Sequence, residues 1–61
     1  MAYIVQADRP GSGPATLTLA DREEALKTAV RWADGGCSHV RIIGDGRIYS
    51  PEELAVAIIN G

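Results

Sequence analysis

A chain of 61 residues has room for one domain and one small core. With a single Cys and no Phe, that core must be built from Ile, Leu, Val and Ala, without an internal disulfide. The formal net charge of −2 offers no basic excess of the kind that drives non-specific binding to nucleic acid or to anionic membrane.

The opening segment MAYIVQADRP has no basic-then-apolar leader, no run is long enough to span a bilayer, and no four-residue set suits a structural zinc. The expectation is a soluble, cytoplasmic protein with residues 1–61 as one α+β domain and no cofactor. So short a chain has little core to stabilise it, and self-association into a homodimer is the simplest remedy.

The first element is AYIVQA (2–7), rich in β-formers. RPGSGP (9–14) follows, with two prolines and two glycines that read as an irregular loop. ATLTL (15–19) alternates strictly, Leu17 and Leu19 on one face and Thr16 and Thr18 on the other, as a half-buried strand does.

DREEALKTAVRWADGG carries the signals of a capped helix. Asp21 stands at the N-cap with Glu24 three residues on, and Gly35-Gly36 supplies the stop. Steps of about 100° place Ala25, Leu26, Ala29, Val30, Trp32 and Ala33 on one arc, with the charged residues opposite.

SHVRII (38–43) and RIY (47–49) are strands joined through Gly44-Asp45-Gly46, where Asp-Gly suits a tight type I′ turn. A second capped helix closes the chain, with Ser50 as N-cap, Pro51 at N1, Glu53 completing a capping box and Asn60-Gly61 as the ending. Leu54, Ala55, Ile58 and Ile59 share its apolar face, and Val56 falls outside it.

The order ββαββα lets the third strand return beside the first. An antiparallel sheet of order 2-1-3-4 results, both helices on one face, with 1-2-4-3 as the competing order. Strand alternation sends Leu17, Leu19, Val40, Ile42 and Ile48 toward the helices. It leaves Ile4, Thr16, Thr18, His39, Arg41, Ile43, Arg47 and Tyr49 on the open face. For the first strand, Gln6 argues that Ile4 points out while Tyr3 and Val5 point in.

The helical segments hold six acidic residues against three basic ones, whereas the rest of the chain holds three arginines against two aspartates. A mildly basic sheet with Ile and Tyr interspersed has the look of an interaction surface. Trp32 and Val56 mark a second candidate surface on the helical side, and the two edge strands a third, through strand addition.

Cys37 and His39, the only residues of their kinds, resemble nucleophilic or metal-binding pairs. Two ligands are too few for a metal site, and a small sheet edge offers no oxyanion site or cleft, so no catalytic or metal-binding residue is expected. Glu23-Glu24 and Glu52-Glu53 are explained by the positive ends of their helices.

The functional expectation is a non-enzymatic protein-interaction module. The alternatives are a nucleic-acid binder using the open sheet and a Cys/His metal or redox protein. The layout, AYIV at the start and an Ala-rich capped helix after the hairpin, also resembles small phage-encoded anti-CRISPR inhibitors. That resemblance implies an inhibitor acting by occupying a surface, and it assigns no residue a role.

Overall fold

The computed structural model describes residues 2–60. Its elements are β1 (Tyr3–Arg9), β2 (Gly13–Leu19), α1 (Arg22–Asp34), β3 (Ser38–Gly44), β4 (Arg47–Tyr49) and α2 (Pro51–Asn60). The sheet is antiparallel with the order β2-β1-β3-β4, the expected order rather than its competitor 1-2-4-3. Both helices lie on one face, where Ala25, Ala29 and Leu54 enclose Tyr3, Val5 and Ile42.

The first hairpin is longer and its loop shorter than expected. Pairing continues through Asp8↔Pro14 and Arg9↔Gly13, which leaves only residues 10–12 as loop. Pro10 and Gly11 explain the tight reversal. Pro fixes φ at the first corner, Gly11 takes φ +74° at the second, and the Ser12 N–H donates to the Arg9 carbonyl across 3.3 Å, the pattern of a type II turn.

α1 begins after Asp21, whose backbone is extended as an N-cap requires, but the expected capping box with Glu24 does not form. Asp21 makes no side-chain cap bond, and Glu24 instead lies 3.8 Å from Lys27 on an exposed helix face. The exit is firmer. The Cys37 N–H donates to the Trp32 carbonyl and the Gly36 N–H to that of Ala33, with Gly36 at φ +98°, which together make a Schellman ending.

In α2 the expected box is present. The Glu53 N–H donates to Ser50 Oγ (3.1 Å) and the Ser50 N–H to Glu53 Oε1 (2.9 Å). Of the expected Asn60-Gly61 ending, Asn60 is the last helical residue and Gly61 lies outside the described residues.

The apolar arcs of both helices bury less than their composition promises. Ala25 and Ala29 are buried and Leu26 and Trp32 partly so, but Val30 and Ala33 are exposed. In α2, Leu54 is buried and Ile58 packs beside it, whereas Ile59 remains 81% exposed rather than joining them. In each helix one side of the arc meets the sheet, Ala25, Ala29 and Trp32 in α1 and Leu54 and Ile58 in α2, and the far edge, Val30 and Ile59, is left to solvent.

Tyr3, 8% exposed, and Val5 point inward as Gln6 implied. The Tyr3 ring lies directly over Gly44, and its hydroxyl donates to Asp45 Oδ2 at 2.7 Å in the next turn. The hydrogen bond to Asp45, then desolvation and the aspartate's charge, raise the Tyr3 pKa above its ordinary 10.0.

Candidate functional site

The open face is assembled by strand register. Cross-strand partners share a face, so the pairs Thr18↔Ile4, Ile4↔Ile43 and Ile43↔Ile48 make one row across all four strands. Strands about 4.8 Å apart give this row a width of roughly 15 Å. Ile4 and Ile43 are half-buried only by their neighbours, and Ile48 is 67% exposed. No helix covers any of them, because both helices lie on the other side.

Beside this aliphatic row runs a polar one. Thr16, Gln6 and Arg41 are successive partners, and Arg41 Nε donates to Gln6 Oε1 at 3.2 Å. Arg41 Nη1 also donates to the His39 carbonyl at 3.0 Å, so the guanidinium lies along the sheet rather than reaching away from it. Beyond it, His39 Nδ1 stands 3.2 Å from Asp8 Oδ2, with both side chains largely exposed.

His39 occupies a bulge. The β1–β3 register shifts between Gln6 and Asp8, and His39 has φ +54° where such bulges favour glycine. The extra residue keeps Val40 against the core and Arg41 on the open face.

Two expected members of the surface are on the wrong side for it. Tyr49 pairs with Ile42 and packs against the core, and Arg47 pairs with Gly44 on that same helical side. Ile48, expected inward, is the outward residue of β4. The cause is the turn. With only Asp45 (φ +54°) and Gly46 (φ +73°) between the strands, the pairing Gly44↔Arg47 is fixed and parity follows from it. The type I′ signal in the sequence already contained this register, and the apolarity of Ile48 concealed it.

The open face therefore gathers Ile4, Gln6, Thr16, Thr18, His39, Arg41 and Ile43 as expected, gains Ile48, and loses Arg47 and Tyr49. Arg47 and Tyr49 line a shallow groove with Glu52, Glu53, Val56 and Ala57 on the helical side. On the same side, Trp32 packs on α1 at the margin of the core, and Val56 stands exposed on α2 beside that groove.

Cys37 is half-buried at the exit of α1. Among the described residues, no three or more His, Cys, Asp or Glu side chains are grouped to hold a metal, and no helix is long and apolar enough to cross a membrane. The chain matches no protein-family model, no curated protein and no solved structure.

Proposed function

We propose that this protein is a non-enzymatic interaction module whose contact surface is the open face of its sheet. The observation that carries the reading is the uncovered row Ile4, Ile43 and Ile48 beside Arg41. An aliphatic centre with a polar margin is how protein–protein contacts are built. The register supports a protein partner over a nucleic acid. RNA-binding sheets stack bases on outward aromatic rings, whereas Tyr3 and Tyr49 here both pack on the helical side. A cytoplasmic setting suits the single Cys37, whose thiol stays reduced there.

The test compares three immobilised proteins in a lysate of the source cells: wild type, Ile43→Lys/Ile48→Lys, and Val56→Lys as a helical-side control. Proteins held by wild type and by Val56→Lys, but not by the double variant, are then purified and titrated. The double substitution is expected to weaken their binding at least about tenfold, equivalent to about 1.4 kcal/mol. If every protein that wild type holds is held equally well by the double variant, the open face is not the contact surface.

A further inference from the structure

The two edges of the sheet are treated very differently. β4 is three residues long, begins with Arg47 and is followed at once by Ser50-Pro51. It is blunted as proteins usually blunt an edge. β2 has only one such protection, Pro14 near its start. It runs seven residues, GPATLTL, holds register with β1 throughout, and carries no charge and no bulge.

Its one proline reveals which main-chain groups face outward. Pro14 has no N–H to give β1, yet it sits opposite Asp8 without disturbing the ladder. In an antiparallel pair, residues two apart turn their main-chain groups the same way. Thr16 and Thr18 therefore turn their N–H and C=O groups away from β1, toward whatever lies beyond the edge. Leu17 between them points to the helical side and remains 43% exposed, although its partner Val5 is fully buried.

We infer that β2 pairs antiparallel with β2 of a second copy of this chain, about a twofold axis at Leu17, to make one continuous eight-stranded sheet. The sequence of the edge reads the same way under that axis. Thr16 meets the second copy's Thr18 and exchanges both N–H···O bonds with it, and the pair repeats on the other side of the axis. Leu17 meets Leu17 at the non-hydrogen-bonded position, where side chains approach most closely, with Cα atoms about 4.5 Å apart. Ala15 meets Leu19 beyond it.

Side chains then match by face: threonines beside threonines on the open side, aliphatics beside aliphatics on the helical side. Two neutral edges bring no charge repulsion to the axis, and each copy covers the other's exposed Leu17. A register shifted by one residue would pair main-chain groups that already serve β1. A register shifted by two would leave Leu17 without its twin. The dimer sets the two isoleucine rows in one sheet face, so it extends the proposed contact surface without depending on what that surface binds.

Sedimentation equilibrium of the full chain across a concentration series is the first measurement, expected to show a monomer–dimer equilibrium. Thr16→Pro, which removes an outward N–H, and Leu17→Glu, which places two like charges at the axis, should each raise the dissociation constant at least tenfold. Their far-ultraviolet circular dichroism should match wild type, and Ile43→Lys/Ile48→Lys should dimerise normally. Amide exchange of wild type supplies a readout independent of any variant: protection at Thr16 and Thr18 should rise with concentration, while that of β4 stays constant. A strict monomer at millimolar concentration, or concentration-independent exchange at Thr16 and Thr18, overturns the inference and leaves the open-face reading standing. A dimer that survives both edge variants overturns it too.

Discussion

Gly44→Ala tests the packing on which the whole inner face depends. Gly44 is buried, and a Cβ placed on it would overlap Tyr3 Cδ2 and Cε2 and stand 3.0 Å from Cγ. The ring cannot simply move aside. It is 8% exposed, packed in the same cluster as Val5, Ile42 and Leu54, and tethered by its hydroxyl to Asp45. Overpacking of this kind costs about 1–3 kcal/mol.

The backbone itself does not object, because Gly44 is not among the positive-φ glycines and alanine there would otherwise stabilise by about 0.4–1 kcal/mol. With two ring carbons overlapped the cost lies at the upper end of that range, so the expected net loss is about 2 kcal/mol, against a total stability of roughly 3–9 kcal/mol for a domain this size. That corresponds to a fall in Tm of about 8–16 °C.

Urea denaturation followed by circular dichroism measures the loss directly. A double-mutant cycle assigns its cause: in a Tyr3→Val background, where no atoms extend past Cγ, Gly44→Ala should be neutral or slightly stabilising. The same cost in both backgrounds, or a change below about 0.5 kcal/mol in the wild type, refutes the steric argument.

The two helix starts should respond unequally to the same substitution. Ser50→Ala removes a formed cap and is expected to cost about 1 kcal/mol in urea denaturation, whereas Asp21→Ala, with no cap bond to lose, should cost no more than a few tenths. Stability should also depend on pH at both extremes. The Ser50 backbone N–H, followed by its hydroxyl, holds the Glu53 carboxyl below its ordinary 4.5, so the associated stabilisation is complete above that value and is lost as pH falls through the lowered pKa. Glu53→Gln should remove this component of an acid titration of Tm while retaining a capping side chain. At the alkaline end, the raised Tyr3 pKa means stabilisation that is complete below 10.0 and lost as pH rises through the raised value, a limb that Tyr3→Phe should abolish.

Much of this fold is written in punctuation. The Asp45-Gly46 turn, the Ser50-Pro51 start and the Gly35-Gly36 stop each force a local geometry with one solution, and their order restricts the topology to a short choice. The same residues misled where they had two uses. In RPGSGP both prolines read as loop formers, but only Pro10 shapes the reversal, while Pro14 occupies a strand position that does not need its N–H. Asp21 has the backbone of an N-cap without its hydrogen bond, because side-chain orientation depends on what surrounds the helix start. The bulge at His39 had no local signal of its own. It arises from fitting β3 to β1 over a longer stretch than alternation alone describes.

The exchange of Ile48 for Tyr49 on β4 matters most for function, because it alters the chemistry of the open face rather than its extent. With Tyr49 and Arg47 outward, the sheet would have offered an aromatic ring and two arginines, the components of base stacking and phosphate contact. With Ile48 outward instead, the row across the strands is aliphatic, and the nearby arginine is engaged by Gln6 and the His39 carbonyl. Aliphatic side chains gain from contact chiefly by leaving water, and they gain most against another close-packed, dry surface. On the proposed reading, a two-residue turn, by fixing which side of a three-residue strand looks outward, selects the class of molecule that the sheet is suited to meet.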